Sequence, residues 1–565
     1  MIQYCCTYAL AILTFFASLA HARQPARPNI VLVMTDDQGY GDIGIRNNPH
    51  LKTPNLDRFA RNGIQLDRFY CSPVCAPTRA SLMTGRYYYR SGVIHTSRGG
   101  AKMHGEEVTI AERLRNAGYA TGIFGKWHLG DTYPMRPEDQ GFDETLWHRS
   151  GGIDQTPDKP NSYFDPYLRR NGEMARGDGY CTDVFFDAAI DFIKTPREKP
   201  FFVYLPTNTP HTPLEVAERY AVPYRKLGLN DTTARVYGMV ANIDENFGRL
   251  LDTLQQTGQR ENTLVLFFGD NGPQQARFND GLRGRKTSTY EGGIRVGAFL
   301  QWPARWQQPK KFDTIAAHFD IAPTLLAAAG VSPSATPKFD GVNLLPLLDG
   351  HNVDWPQRTL FFQCHRGLTP KPFQNCAVIT DRYKLVGYPG TFNRENLDTS
   401  ADPVLELYDI PADRGESKNL ATDLPQTVAK LRDAYTKWYN DVRSTRNFTP
   451  GVIHIGNEAE NPVCLCRYQD GNYKSGIPYG WTVHVERGGK YRFTINRGLL
   501  EGQGGLHILW QGKETILPLG ASENSAIGEL TPGKGVIDIW FTPKATKRVP
   551  ISNNGTAGNV DVERL

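Results

Sequence analysis

The segment Cys75-Ala-Pro-Thr-Arg79 places a reactive thiol, a proline that fixes the chain and a charged guanidinium close together, and Thr84-Gly85-Arg86 follows it. A thiol in such a setting could act as a nucleophile or be converted into one. The alternative is a helix N-terminus in which Cys75 is merely buried, since a free cysteine usually behaves as a small apolar residue. Polar partners elsewhere in the chain are needed to decide between the two.

Two acidic pairs could bind a metal ion. Asp36-Asp37 and Asp270-Asn271 each follow an apolar, strand-like run. Successive strand residues point in opposite directions, so Asp36 and Asp37 reach one ion only if the chain turns, which Gly39 permits. Three carboxylates and an amide oxygen suit Ca²⁺, which takes about 6–8 oxygen ligands, and the group at position 75 and the substrate could complete the site. Either pair alone is equally compatible with a turn or a helix cap.

Basic residues could balance this acidic cluster. Three carboxylates around a doubly charged ion leave one net negative charge, which would repel an anionic ester unless cations offset it. With Arg79, the candidates lie in the segments Gly125-Lys-Trp-His128, Thr209-Pro-His211 and Gly284-Arg-Lys-Thr287, and they are Lys126, His128, His211 and Lys286. A single lysine or histidine is more often a solvated residue, but the set, in this order, indicates one site.

These segments together resemble the motifs of the type I, formylglycine-dependent sulfatases of the alkaline phosphatase superfamily, over roughly residues 28–420. The run C-x-P-[ST]-R followed by T-G-R resembles the signature of that family, and G-K-W-H and P-H match two of its further elements. The resemblance implies that a separate maturation enzyme converts Cys75 to formylglycine. It also implies a single Ca²⁺ ion bound by Asp36, Asp37, Asp270, Asn271 and the group at position 75.

The resemblance further implies a role for each basic residue. Lys126 and His128 hold the aldehyde-derived group, and Arg79 stabilises that group and the ion site. Lys286 and the metal bind the sulfuryl oxygens, and His211 protonates the departing alcohol with help from Lys286. The implied enzyme is a sulfuric ester hydrolase whose sulfated intermediate collapses by C–O cleavage, an exit that a serine sulfate does not have.

The expected substrate is a sulfated polysaccharide or its oligosaccharides, as for a bacterial carbohydrate sulfatase. Residues that could line its cleft are His95, Arg98, Arg283 and His365, with His104, Arg136, His148 and Arg277 as further candidates. The β-rich C-terminal region either binds carbohydrate or packs against the catalytic domain, and the second alternative is favoured.

Two other functions stay open. A hydrolase of phosphate or phosphonate esters that uses the same aldehyde would have a similar nucleophile and metal site. If Cys75 is not matured, the chain would instead be a non-catalytic glycan-binding protein. Comparing the release of sulfate and phosphate from matched esters distinguishes a sulfatase from the first alternative. The mass of the peptide that contains Cys75 tests the second.

The elements that must position these residues alternate between strand and helix patterns. Apolar runs at 29–35, 120–124, 201–205 and 264–268 are typical of buried parallel strands, and such sheets bind ligands at the carboxyl ends of their strands. We predict an α/β fold with a large, mostly parallel sheet sandwiched by helices, as in alkaline phosphatase. A smaller antiparallel sheet with a packed helix and a C-terminal antiparallel β appendage should follow.

The predicted limits of these regions are residues 1–22 for a signal peptide, 23–375 for the catalytic domain, 376–450 for the smaller subdomain and 451–565 for the appendage. Within them we expect one helix at 424–442 and a linker or long loop at 444–462. We also expect a frayed end over about the last 15 residues.

Composition and the N-terminus restrict partners and location. The formal net charge is only +5, without a dense Lys/Arg run, so nucleic acid is a poor candidate. The apolar run Tyr8–Leu19, followed by Ala20-His21-Ala22, indicates a cleaved signal peptide that is too short to span a membrane. We therefore expect a periplasmic or secreted protein without a stable membrane anchor.

The cysteine count fits an oxidising compartment. Of nine cysteines, six remain when Cys5, Cys6 and Cys75 are set aside, and six are compatible with disulfides. Cys364 and Cys376 could close a short loop, but the sequence leaves the pairing open, and several cysteines could be free.

Overall fold

The computed structural model describes residues 27–97, 99–332, 337–351, 355–365, 367, 369–387, 403–466, 480–495, 503–543, 549–550 and 559–565. The predicted signal peptide and Arg98 lie outside these residues. Within the described ranges, no helix combines the length and the apolar character that a membrane crossing requires.

A large central sheet organises the first two thirds of the chain. Its strands are β1 (Asn29–Thr35), β2 (Ile64–Tyr70), β3 (Ala120–Lys126), β4 (Glu144–His148), β5 (Tyr167–Arg170), β6 (Glu173–Arg176), β7 (Phe201–Pro206), β8 (Thr263–Gly269), β9 (Arg295–Gln301), β10 (Lys310–Phe312) and β11 (Ala316–Ala317). They lie in the order β10-β2-β9-β8-β1-β7-β3-β4-β5-β6, with β11 beside β2. The inner strands β8, β1, β7, β3 and β4 are parallel, as the sequence predicts.

The alternation of side chains along β1 explains why the sheet is covered on both faces. Ile30, Leu32 and Met34 belong to one apolar core, and Val31 and Val33 belong to another. All five side chains are fully buried. Because neighbouring strand residues point to opposite faces, a continuous apolar run is stable only between two covering layers.

Helices supply those layers. They are α1 (Pro54–Arg61), α2 (Cys75–Thr84), α3 (Ile110–Asn116), α4 (Cys181–Lys194), α5 (Glu218–Lys226), α6 (Asp231–Gln256), α7 (Glu291–Ile294), α8 (Ile321–Ala328), α9 (Leu345–Leu348) and α10 (Pro425–Arg446). Residues of α4 and α6 pack on one face of the sheet, and residues of α2, α3 and α8 pack on the other. The predicted α/β fold class is confirmed.

A smaller antiparallel sheet follows, with α10 packed on two of its strands. Its strands are β12 (Leu360–Gln363), β13 (Cys376–Ile379), β14 (Tyr383–Gly387) and β15 (Leu405–Asp409). The sheet begins at Leu360, before the limit predicted after residue 375, and α10 continues to Arg446, past the predicted end at 442. The domain limits themselves stay predictions.

Two further sheets form what we call the C-terminal sandwich. Their strands are β16 (Ile453–Ile455), β17 (Val463–Cys466), β18 (Gly480–Val485), β19 (Gly489–Ile495), β20 (Gly504–Trp510), β21 (Lys513–Leu519), β22 (Ser525–Leu530), β23 (Gly533–Pro543), β24 (Val549–Pro550) and β25 (Asn559–Arg564). One sheet has the order β16-β18-β23-β20-β21, with β24 beside β23, and the other has the order β17-β25-β19-β22. Their shared core includes Met135, from the loop after β3.

Two local predictions in this region are wrong. The expected linker at 444–462 contains the end of α10 and all of β16. The expected frayed end contains β25, which pairs with β17 and β19. Val560 and Val562 alternate into the core of the sandwich and are fully buried, and this burial fixes the end of the chain.

The described cysteines do not form a disulfide bond with one another, and all of them are buried. Cys376 lies at the start of β13, opposite Gln363 at the end of β12. The compatibility with disulfides inferred from the cysteine count is therefore not realised in the described part of the chain.

Candidate active site

The candidate site lies where the inner strands end. Asp36 follows β1, Asp270 follows β8 and Lys126 ends β3, while His211 lies in the loop after β7. Backbone hydrogen bonds hold these ends together: the amide of Asp36 donates to Thr209 O at 3.0 Å, and that of Asp270 donates to Thr35 O at 2.9 Å. Parallel strands thus bring residues that are distant in sequence to one edge of the sheet.

Cys75 is the first residue of α2 and is only 2% exposed. A ligand atom from each of Asp36, Cys75 and Asp270 lies within 4.8 Å of the other two. Burial raises the pKa of the Cys75 thiol to about 12, although the charges of Lys126 and Lys286 lower it. At neutral pH the side chain is therefore a protonated thiol, which is a poor nucleophile.

Two buried oxygen atoms at the site lack a hydrogen-bond partner among the described residues. They are Asp36 Oδ1 and Asn271 Oδ1. The other atoms of these side chains are engaged, because Asp36 Oδ2 lies 2.5 Å from Lys126 Nζ and Asn271 Nδ2 donates to Asp37 Oδ1 at 2.8 Å. Buried polar atoms are rarely left unpaired, and oxygen ligands are those that a hard cation prefers. The residues present therefore fit a calcium ion.

The chain turns at Asp37, as the sequence argument requires. Asp37 has a left-handed backbone with φ of 65°, and its amide donates to Asp270 Oδ1 at 3.1 Å. Its carboxylate lies 2.7 Å from Lys286 Nζ. Arg277, which the sequence suggests as a substrate residue, instead donates to Asp37 O at 2.8 Å and pairs with the buried Asp42. Arg277 therefore holds this loop in place.

Arg79 joins two strand ends from a fully buried position. It donates to Lys126 O at 2.7 Å and to Asp270 Oδ2 at 2.8 Å. Burial and the nearby Asp36 raise the pKa of Asp270 to about 7. Burial alone would raise the pKa of Asp36. The positive charges of Lys126, His211 and Arg79, of which Lys126 has the largest effect, hold that pKa well below its ordinary value. A bound dication would relieve this repulsion between carboxylates.

The charges of the side chains balance when all three carboxylates are ionised, the state that a bound dication favours. Three carboxylates face three cations, namely Asp36, Asp37 and Asp270 with Arg79, Lys126 and Lys286. With Ca²⁺ added, the site carries two net positive charges, which suits an anionic ester. The sequence argument also requires cations to offset the carboxylates, and the structure brings three of them into direct contact.

His128 follows β3 with a left-handed backbone, φ 63°. Its Nε2 lies 2.9 Å from Thr96 O, to which it must donate, while its buried Nδ1 has no partner among the described residues. Burial, with help from Lys126, holds the pKa of His128 well below its ordinary value. His128 is therefore neutral, and Nδ1 is left as a proton acceptor.

His211 has the opposite arrangement. Its Nδ1 lies 2.6 Å from Thr212 O and donates to it, which leaves Nε2, 3.8 Å from Asp37 Oδ2. Burial lowers the pKa of His211, and the positive charge of Lys286 lowers it further. Any proton that His211 exchanges with a ligand must pass through Nε2.

Two of the four residues predicted for substrate binding, Arg283 and His365, make hydrogen bonds to residues outside this cluster. Arg283 donates to Tyr408 OH at 2.8 Å and is partly exposed. His365 is buried, 2.5 Å from Gln374 Oε1. His95 is also buried and accepts from Ser97 N at 3.1 Å, and Arg98 lies outside the described residues. Their role in substrate binding stays a prediction.

Other candidates have contacts that assign them elsewhere. His104 Nε2 lies 2.8 Å from Thr449 O, and Arg136 donates to Ala459 O at 3.2 Å and to Asp139. His104 therefore contacts the segment between α10 and the C-terminal sandwich, and Arg136 contacts the loop between β16 and β17 of the sandwich. His148 is buried at the end of β4, and the charges of Lys126 and Arg79 act on it, so it lies beside the cluster.

Sequence reasoning missed residues that support the site. Thr78 donates to Asp270 O at 2.8 Å and accepts from Ser72 N at 2.9 Å, and its place in the cysteine motif could have revealed it. A cavity beside His128 is lined by Thr96, Lys102, Asp131 and Ser150, among others. These four residues lie in loops whose sequence shows no pattern that predicts their meeting.

Comparisons with known proteins agree with the geometry. The family model described as Sulfatase matches residues 28–331, and that described as N-sulphoglucosamine sulphohydrolase, C-terminal, matches residues 285–436. The N-acetylgalactosamine-6-sulfatase of Rattus norvegicus is 33% identical over 389 residues, covering 61% of this chain and 70% of the relative. Arylsulfatase A of Homo sapiens is 33% identical over 513 residues, covering 80% and 95%. The crystal structure of Ps i-CgsB in complex with k-i-k-neocarrahexaose has a TM-score of 0.66 and 27% identity, covering 74% of this chain and 94% of that one.

Proposed function

Because the chain belongs to the sulfatase family and is a sulfuric ester hydrolase, we propose that it removes sulfate from a sulfated polysaccharide or oligosaccharide, using a formylglycine made from Cys75 and one bound Ca²⁺. The observation that carries the proposal is Cys75 itself. Its thiol is buried and protonated, yet it lies among paired carboxylates and cations that serve no purpose for an apolar cysteine.

The glycan part of the proposal rests on the relatives. One is named for a sulfated amino sugar, and one structural neighbour was crystallised with a neocarrahexaose. The apolar N-terminal run supports export to the periplasm or beyond, where such polymers are found. The proposal includes a separate maturation enzyme as a partner, because converting the Cys75 thiol to an aldehyde is an oxidation and needs an oxidant.

When bound, calcium and the formylglycine at position 75 supply, respectively, positive charge for the sulfuryl oxygens and an oxygen nucleophile. Asp36, Asp37, Asp270 and Asn271 would hold the ion through their oxygens, two of which are unpaired and buried. Arg79 fixes Asp270 and the end of β3 in the orientation that this binding needs. Preorganised charge of this kind is usually the largest contribution to such catalysis.

The two histidines divide the proton transfers. His128 donates through Nε2 to Thr96 O, so its Nδ1 can take a hydroxyl proton from the group at position 75. His211 donates through Nδ1 to Thr212 O, so only its protonated, imidazolium form carries a proton on Nε2 for the leaving alcohol. Burial and Lys286 disfavour that form, and the carboxylates of Asp36 and Asp37 favour it. Lys286, held by Asp37, supplies positive charge on the same side. An alcohol leaves poorly as an alkoxide, and the proton donor therefore matters for sugar esters.

The maturation of Cys75 tests the proposal directly. Protein produced with a formylglycine-generating enzyme should show, by peptide mass spectrometry, an aldehyde in place of the thiol at position 75, and it should release sulfate from sulfated oligosaccharides. Cys75→Ala should fold and lose turnover. Cys71→Ala, a buried cysteine four residues away, should keep both the aldehyde and the activity. Turnover by a protein whose Cys75 is wholly unmodified would refute the covalent role.

Substrate comparison tests the alternative chemistry. Aryl and sugar esters of sulfate and phosphate, matched in their alcohol, should show sulfate release as the faster reaction. Faster phosphate or phosphonate release would make the chain a phosphoester hydrolase that uses the same groups. Glycan binding without turnover by the matured protein would favour a non-catalytic role.

A further inference from the structure

A second cluster of metal-binding side chains lies in the C-terminal sandwich. Strands β16 and β18 run parallel, with His454 directly opposite His484, and Glu486 follows His484 by two residues. The neighbouring Ile455 and Val483 belong to the core of the sandwich. Because strand residues alternate between faces, His454, His484 and Glu486 all project from the face that points away from that core.

The distances within the cluster suit a single ion. One ligand atom from each residue lies within 4.8 Å of the other two. His454 Nδ1 is 2.6 Å from Glu486 Oε1, and the centroids of the His454 and His484 rings are 5.1 Å apart. Ligand atoms of a tetrahedral zinc site are separated by roughly 3.3 Å, given bond lengths near 2.0 Å, so small side-chain rotations complete the site.

Two features indicate that the cluster is arranged for a ligand: an unpaired nitrogen atom and a carboxylate held in a fixed direction. His484 Nδ1 is buried and lacks a hydrogen-bond partner among the described residues. Asn457 donates to both carboxylate oxygens of Glu486, at 2.8 and 2.7 Å, and so fixes their direction. Residues that orient a ligating side chain in this way are a regular part of metal sites.

We propose that His454, His484 and Glu486 bind a transition-metal dication of the Zn²⁺ class. Two imidazoles and a carboxylate form a donor set typical of zinc, and they leave one position for water. Calcium prefers oxygen ligands only, so the two imidazole nitrogens disfavour it here. Lys534 lies opposite His484 on β23, but its side chain is exposed and can extend into solvent.

The location of this site indicates its role. The ring of Tyr133, from the loop after β3, packs edge-on against the ring of His454, with 5.8 Å between the ring centroids. The amide of Tyr133 donates to Glu460 Oε2 at 2.6 Å, and Met135 from the same loop enters the core of the sandwich. A metal ion that ties β16 to β18 would therefore stabilise the junction with the catalytic domain, independently of the Cys75 centre.

The test is metal binding by the full chain. Protein stripped with a chelator and then saturated with Ca²⁺ is titrated with Zn²⁺ by calorimetry. The wild type should bind Zn²⁺, and His484→Ala and Glu486→Gln should each weaken that binding at least about 100-fold. Co²⁺ should give the visible absorption of a four-coordinate site in the wild type only. Zn²⁺ should also raise the melting temperature of the wild type but not of His484→Ala.

The matched control is His507→Ala. His507 also pairs with a glutamate, Glu514, at 2.7 Å on the same sheet, but the described residues supply no third ligand there. This variant should bind Zn²⁺ like the wild type. Equal Zn²⁺ uptake by the wild type, His484→Ala and Glu486→Gln would overturn the proposal, and so would an equal loss in His507→Ala. Displacement of the bound Zn²⁺ by Ca²⁺ would overturn the assignment of the metal.

Discussion

Removing the ammonium of Lys126 should separate its structural role from that of calcium. Lys126 and Asp36 are both buried and 2.5 Å apart. In Lys126→Met, Asp36 loses its nearest partner, and removing one member of a buried ion pair costs about 3–5 kcal/mol. We expect this loss in the free energy of unfolding of the catalytic domain when calcium is chelated.

Calcium should recover part of that loss. The ion and the ammonium share the Asp36 carboxylate, so an ion bound to Asp36 compensates for the missing lysine. By linkage, a recovery of about 2 kcal/mol corresponds to calcium binding that is about 30-fold tighter in Lys126→Met than in the wild type. Sulfate release should be lost in the same variant, because Lys126 would hold the group at position 75.

Urea titrations with and without Ca²⁺, together with calorimetric calcium titrations, measure both effects. The control is Lys384→Met, since Lys384 is equally buried and pairs with Glu291 at 3.0 Å and Glu416 at 2.9 Å. That variant should be destabilised equally in the two conditions. If Lys126→Met also loses the same amount with and without calcium, or binds calcium more weakly, the shared-carboxylate reasoning is wrong.

Three further outcomes are expected. His211→Gln should lower kcat/KM for a sugar sulfate by about 10²–10⁴-fold and far less for an activated aryl sulfate; equal losses would contradict the donor role. Burial raises the pKa of Asp131 from 3.8 to about 6. The free energy of unfolding that Asp131 contributes, measured relative to Asp131→Asn over a pH series, should therefore be complete below pH 3.8. It should fall by up to about 3 kcal/mol as the pH rises through about 6. A difference between the two proteins that does not change with pH would contradict this. Met135→Ala, which empties a fully buried position in the sandwich core, should destabilise that region by about 2–5 kcal/mol in urea titrations, and a loss below about 1 kcal/mol would mean that the loop does not anchor the sandwich.

The central sheet could be predicted because its inner strands are continuous apolar runs. Such runs are buried on both faces, and the first polar residues after them must lie at the sheet edge, as Asp36 and Asp270 do. The motif around Cys75 identified the thiol that lies close to these two carboxylates. Spacing and residue type were enough here because the strands themselves bring the side chains together.

The loops could not be predicted in the same way. The sequence suggests both Arg283 and, as a further candidate, Arg277 as substrate residues, but Arg277 holds the Asp37 loop and Arg283 donates to Tyr408. Their contacts depend on which distant segments pack nearby. The pairing of His454 with His484 depends on the register of two parallel strands, which no local pattern encodes.

The packing around Cys75 sets an order of events in the biogenesis of the enzyme. All the residues of α2 are buried, and Cys75 is 2% exposed. A maturation enzyme would need access to this thiol, and packing of the helix against the sheet closes that access. We therefore expect the proposed oxidation to take place before the chain folds around α2. A molecule that folds before it is modified would be stable, correctly shaped and permanently inactive.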